Sequence, residues 1–291
     1  MNTKEVAQYL RIKERKVYDL VRTRSIPSTR VAGKWLFPKA LVDLWILRNA
    51  RCDPSITTPA RPGAVIVGSH DPLLEWAARE SGCEMALLSG GSLDGLRRFA
   101  EGDAAVCGLH VFDAETQSYN TTAVKNTIAD LDVVLIEWAW REQGLIVAKG
   151  NPLHLTKVTD LRNRAARFAG RQEAAGSRVL LEYLLAKNGM TVSDIKIAAP
   201  PALSETDVAI AVSEGKADAG LAVKAVAEQF RLDFVPLHRE RYDLAVRRRE
   251  YFEPEFQRLL VFTRSERFAD KARTLGGYDI TELGRVAYNG P

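Results

Sequence analysis

Three Gly-Ser dipeptides stand out in this sequence: Gly68-Ser69, Gly91-Ser92 and Gly176-Ser177. Each follows an apolar run of strand character, or a short loop after one, and each precedes a run of helical periodicity. A helix N-terminus leaves backbone N–H groups unpaired and carries the positive end of the helix dipole, and a serine there adds a hydroxyl donor. One such turn is unremarkable, because Ser caps helices and Gly favours turns. Three in the same context point to convergence on one small anion or carboxylate. Ser69, Ser92 and Ser177 are the candidate donors. Arg171, in the loop before Ser177, is placed either to neutralise such a ligand or to pair with Glu173.

The elements that must position these residues read as an α/β body over residues 63–291. Apolar runs at 64–67, 85–88, 104–109, 133–136, 145–148, 167–169, 195–198 and 219–223 are expected strands. Helical periodicity falls at 73–80, 93–101, 178–188 and 206–214. Strands alternating with helices argue for mostly parallel sheets. Glu101-Gly102-Asp103-Ala104-Ala105 and Glu214-Gly215-Lys216-Ala217-Asp218 each end a helix and lead into a strand. That weak internal echo suggests two lobes of one βα build, with the ligand in the cleft between them.

Residues 1–50 read differently. Thr3 is the expected cap of a short helix burying Val6, Ala7, Tyr9 and Leu10. A second helix starts near Lys13, buries Val17, Leu20 and Val21, and ends before Ile26-Pro27. Two short helices and a tight turn make a helix-turn-helix. The residues around Ala32-Gly33-Lys34 read as a hairpin. Pro38 then opens a third helix with Leu41, Leu44, Trp45 and Leu47 inward. This head holds eleven Lys and Arg against four Asp and Glu, a local charge of +7, whereas the rest of the chain carries 30 basic and 33 acidic residues. A basic head on a slightly acidic body points to a polyanion partner for the head alone.

Residues 51–62, with their prolines and polar residues, read as a linker. Three cysteines without CxxC spacing give neither a disulfide framework nor a zinc site, and no metal ligand set is expected. No apolar run reaches membrane-spanning length, and the N-terminus lacks a signal-peptide core. The expected location is the cytoplasm.

The stretches TKEVAQYLRI, RKVYDLVRTRSIPSTRV and GKWLFPKALVDLWI resemble the excisionase-like (MerR-type) winged helix-turn-helix family. The resemblance implies a second helix in the major groove of operator DNA and a wing on the phosphate backbone. It makes Arg15, Lys16 and Tyr18 base-reading candidates and Arg22, Arg30 and Lys34 phosphate contacts, with Lys13 in the basic opening of that helix as a further DNA-binding candidate. Arg11 stands where the family often has Gly, and Lys13 where it often has a Ser cap.

The body resembles the type 2 periplasmic-binding-protein superfamily through GSHDPLLEWAAR, SGGSLDGLRRFAEGDAAVCGLHVFD, WREQGLIVAKGNP, RQEAAGSRVLLEYLL, AVSEGKADAGLAVKAVA and FVPLHRERYDLAV. The implied fold class is a winged helix-turn-helix followed by a two-lobed α/β domain. Lobe I would comprise about 63–138 and 240–291, and lobe II about 145–236. Ser69 and Ser92 would donate from lobe I, and Ser177 with the N–H of Arg178 from lobe II. The hydroxyl of Tyr242 would reach the cleft as the chain returns across the hinge. Fused regulators of this build are often linked to molybdate or tungstate uptake, so one of these is the leading effector, with no other cofactor. Trp138 and Trp140 flank the expected crossover.

The expectation is therefore a ligand-responsive, DNA-binding regulator, a homo-oligomer because such heads read paired half-sites. One alternative is a regulator of an organic ligand such as an amino or sulfonic acid. The other is an enzyme of prephenate-dehydratase or porphobilinogen-deaminase type, which share the lobed architecture. Ser69-His70-Asp71 places adjacent side chains on a turn without a G-x-S-x-G elbow, so no catalytic set is expected. His110 reads as a strand-end residue near the cleft.

Overall fold

A computed structural model describes residues 1–23, 25–31, 33–49 and 63–290. The expected linker, with Cys52, lies outside the described residues. The chain forms two compact units.

In the head, Thr3–Tyr9 and Glu14–Arg22 are helices, Thr29–Val31 and Lys34–Leu36 form an antiparallel hairpin, and Lys39–Asn49 is a third helix. The first helix is capped by Asn2 rather than Thr3: its side chain accepts from the Glu5 N–H, and Glu5 answers in a capping box. Val6, Ala7, Val17, Ile26, Phe37 and Val42 make the core, with Leu10, Leu20, Val21 and Trp45 packed against it. Tyr9 does not join them. It is exposed and donates its hydroxyl to Asp43 at 2.6 Å, tying the first helix to the third. In the third helix Val42 is buried and Leu41 is exposed, the reverse of the expected placing at these two positions, while Trp45 faces the core as expected. The side chains of Leu44 and Leu47 lie outside the described residues.

The body is built on a ten-stranded mixed sheet. At one end Val65–Gly68 is flanked in parallel by Ala86–Ser89 and Val106–Leu109. At the other end Arg167–Arg171 lies parallel to both Lys196–Ala202 and Ala219–Val223. Two 15-residue strands, Val133–Val147 and Asp233–Arg247, join the ends and pair antiparallel along their length, from Val133 opposite Arg247 to Val147 opposite Asp233. The sequence reading divided the first of these into two strands and expected mostly parallel pairing. The polar run Arg141-Glu142-Gln143 interrupts the apolar pattern, yet Arg141 and Gln143 are buried and face Glu240 and His238 on the returning strand. Parallel pairing holds only in the outer parts of each half.

The first half has its core around Leu73, Trp138, Leu244 and Phe268, with a second cluster around Phe99 and Val124 on the opposite face of the sheet. The second half has its own pair, around Phe168 and Leu181 and around Ile146 and Val226. Separate cores joined by two strands leave the junction to polar side chains. Among the described residues no helix is long and apolar enough to cross a membrane.

Candidate functional site

The Gly-Ser turns meet at that junction. Helix Ser92–Glu101 of the first half and helix Gly176–Ala186 of the second bring their N-termini together. Gly91 takes a φ of 100°, a left-handed value that favours glycine. The Leu93 N–H donates to the Ala174 carbonyl at 3.2 Å across the junction. A Cβ built on Gly176 would stand 3.0 Å from the Ser92 hydroxyl. The Ser69 and Ser92 hydroxyls are hydrogen-bonded at 2.9 Å. Ser177 is buried, and its hydroxyl has no partner among the described residues. Two helix dipoles and three hydroxyls, one of them the unpartnered Ser177 hydroxyl, make a locally electropositive junction.

Beneath it lies one face of the two long strands, with Gln143 opposite His238, Arg141 opposite Glu240 and Ala139 opposite Tyr242. Asp71 caps helix Pro72–Glu80 and also accepts from Arg141 at 2.9 Å, Trp138 at 3.1 Å and Tyr278 at 2.7 Å. Glu240 accepts from the other end of the Arg141 guanidinium and bonds His110 at 2.8 Å. Gln143 donates to Glu240 at 3.2 Å and to Glu205 at 2.9 Å, so its amide joins the returning strand to the second half. Burial works to raise the Glu240 pKa, but the adjacent Arg141 and His110 outweigh it and hold the carboxyl down at about 2. Burial pushes the Tyr242 phenol well above its ordinary value, so it is a neutral donor.

The remaining sequence candidates are distributed around this frame. Tyr242 is buried as the chain returns across the junction, but it donates to the Ser69 carbonyl at 2.5 Å, bracing the first turn rather than offering a free hydroxyl. The Arg178 N–H is used within its own turn, donating to the Ala175 carbonyl at 3.0 Å, and its guanidinium pairs with Glu182. Arg171 spends its guanidinium on the carbonyls of Ala202 at 3.2 Å and Leu203 at 3.1 Å. Trp138 is core, and Trp140 lies under Arg239. Ser69, His70 and Asp71 turn to Ser92, Glu75 and Arg141 respectively, so they are not aligned for a proton relay.

Sequence reasoning missed Phe112, Tyr119, Tyr183 and His238. Phe112 lies 5.2 Å from Tyr119, 4.5 Å from Tyr183 and 5.3 Å from His238, ring centre to ring centre. Tyr119 Oη, His238 Nε2 and Gln143 Oε1 are buried without partners among the described residues. Phe112 and Tyr119 pair in one hairpin, but Tyr183 and His238 lie far along the chain and the four share no motif. Only the pairing of the long strands and the packing of the Phe112–Tyr119 hairpin on the helix bearing Tyr183 bring them together.

In the head, Arg15, Lys16, Tyr18 and Arg22 are all exposed on the second helix, Lys13 is exposed at its N-cap, and Arg30 and Lys34 are exposed on the hairpin. Arg15, Tyr18 and Arg22 follow the 3-then-4 spacing that puts them on one face. Tyr18 is 51% exposed, so it belongs to that face and not to the core. Arg11 adopts a left-handed φ of 51°, the conformation a turn glycine would take.

A family model described as a PBP superfamily domain matches residues 74–264. The chain belongs to that superfamily. A helix-turn-helix domain model matches residues 1–50, so the PBP superfamily domain follows a DNA-binding fold. The Bacillus subtilis (strain 168) protein YvgK is 29% identical across 97% of this chain and 96% of its own length. A substrate-binding protein from Clostridium perfringens solved with bound phosphate aligns with TM-score 0.54 at 14% identity, over 76% of this chain and 98% of that one. The sulfate-binding protein SubI from Mycobacterium tuberculosis aligns with TM-score 0.52 at 15% identity, over 74% of this chain and 85% of that one. At these identities the structural likeness concerns the fold. A helix-turn-helix domain joined to a PBP superfamily domain is the organisation of a ligand-binding, DNA-binding regulator.

Proposed function

We propose that this chain is a one-component transcriptional regulator whose body holds a small anion between its halves and whose head binds operator DNA. The observation that carries the ligand is the meeting of two helix N-termini around the buried, unpartnered Ser177 hydroxyl. A fully ionised tetrahedral anion offers acceptors on every side and suits hydroxyl and amide donors. Molybdate and tungstate are the leading ligands. The C. perfringens and M. tuberculosis proteins, one solved with phosphate and the other sulfate-binding, belong to the same fold and agree with an oxyanion. Arg15, Lys16 and Tyr18 would read bases, with Arg22, Arg30 and Lys34 on phosphates and Lys13 contacting DNA beside them. Anion binding between the halves would shift the population of body conformations and so the presentation of two heads in a homo-oligomer, working in the cytoplasm.

A second reading comes from the aromatic group of Phe112, Tyr119, Tyr183 and His238, with its unpartnered polar atoms beside the cleft floor. Such a chamber suits the organic part of an amino or sulfonic acid. A thermal-shift panel of molybdate, tungstate, sulfate, phosphate and these organic acids separates the readings. A ligand present at about 100 times its dissociation constant raises stability by about 2.7 kcal/mol. A shift with molybdate or tungstate that Ser177→Ala abolishes supports the oxyanion sensor. A shift confined to organic acids replaces the ligand, and no shift with any anion overturns the sensor reading.

A further inference from the structure

We propose that His110 is the charge-bearing member of the anion site, a cation while the anion is bound, and that Glu240 is the residue that positions it. This rests on the anion reading above. His110 is 3% exposed and touches all three parts of the junction. Its backbone N–H donates to the Ser92 hydroxyl at 3.1 Å, and its Nδ1 lies 2.8 Å from Glu240 on the returning strand. A Cβ on Gly176, at the N-terminus of the second half's helix, would stand 3.1 Å from His110 Cε1. The imidazole therefore lies between a buried carboxylate and the place where the two helix ends meet.

The charges around it favour a cation there. From the returning strand Glu240 faces the ring directly, and the neutral Tyr242 phenol stacks on it at 6.0 Å. Behind Glu240 stand Arg141, Asp71 and, through Gln143, Glu205. Two carboxylates, Asp71 and Glu240, thus share the Arg141 guanidinium, while a third, Glu205, bonds Gln143 and is acted on by Arg171 from the second half; each is no more than 4% exposed. On the helix facing Ser92, Arg178 is already paired with Glu182. An anion at Ser92 and Ser177 adds more negative charge to this acidic floor. A protonated His110 separates the two and sets a positive charge beside the anion. Glu240 holds the ring in place through Nδ1, as second partners of functional histidines do.

The test is isothermal calorimetry of molybdate binding to the full chain between about pH 6 and about pH 9, a range that spans the ordinary imidazole ionisation and leaves molybdate doubly ionised. Each titration is run in two buffers of different ionisation heat. The expected result is an affinity that falls as pH rises, approaching tenfold per unit at the alkaline end, with proton uptake per anion rising towards one over the same range. His110→Gln, which keeps the backbone bond to Ser92, is expected to weaken binding by about 30-fold at the acid end and to flatten the profile. Glu240→Gln is expected to shift the profile to lower pH. Molybdate binding by the unsubstituted protein with a flat profile and no proton uptake overturns the role of His110 and leaves the sensor reading standing. Absence of anion binding at every pH overturns both.

Discussion

Gly176 sits against Ser92 so closely that a Cβ at residue 176 would stand 3.0 Å from the serine hydroxyl and 2.7 Å from the His110 carbonyl oxygen. The serine side chain can rotate, but the carbonyl is backbone and cannot yield without moving a strand end. Gly176→Ala should therefore wedge the halves apart while leaving each half's core untouched. We expect anion affinity to fall by at least about tenfold with little change in the thermal midpoint of the ligand-free protein. Calorimetric titration with small-angle scattering checks this. Unchanged affinity would mean that the contact is not part of the anion-bound form.

The second helix of the head begins at Lys13 without a side-chain cap. Ser at such a position supplies an oxygen to an unpaired helical N–H and is worth about 1 kcal/mol. Lys13→Ser should stabilise the head by about that amount in thermal unfolding. If Lys13 also contacts phosphate, the same change lowers the salt dependence of DNA binding by about one ion. A stabilised head with an unaltered salt slope would remove Lys13 from the DNA-contacting set.

Arg15 and Lys16 project from the first turn of that helix and are both exposed. Replacing both by Ala removes charge and reach without touching the core residue Val17. Operator binding in a mobility-shift assay should be lost, and anion binding by the body should be retained. Equal DNA affinity in the double variant would refute this helix as the reading element.

Much of the frame was legible because it depends on local signals. Helix-turn-helix spacing, Gly-Ser turns and the strand-helix alternation are set by neighbours in the chain. The convergence of Ser69, Ser92 and Gly176 followed from them. The floor of the site did not. Arg141, Gln143 and Glu240 look like surface residues in a sequence, because burying a charge is costly unless its partners are also present. Those partners, Asp71, Glu205 and His110, come from elements up to 130 residues away. The same reason hid the long strand Val133–Val147, whose polar middle is buried only because the returning strand supplies matching side chains. For Arg171 the sequence left a ligand and Glu173 open as partners, and the carbonyls of Ala202 and Leu203, 31 and 32 residues further on, meet its guanidinium.

The buried Glu240 gives the body a specific acid response. Burial acts to raise its pKa, but Arg141 and His110 lower it from 4.5 to about 2 in the folded chain. A carboxyl depressed on folding binds its proton more readily when unfolded, so its contribution to stability is complete above about pH 4.5 and is lost as pH falls towards about 2. The loss across that window should be on the order of 2 kcal/mol in urea unfolding of the full chain. Glu240→Gln should be less stable at neutral pH, because Arg141 loses an ionic partner in a buried setting. Its stability should also vary less between those two pH values than that of the unsubstituted protein. An equally steep acid dependence in the variant would place the titrating group elsewhere, with Asp71 the next to test since it accepts from Arg141, Trp138 and Tyr278.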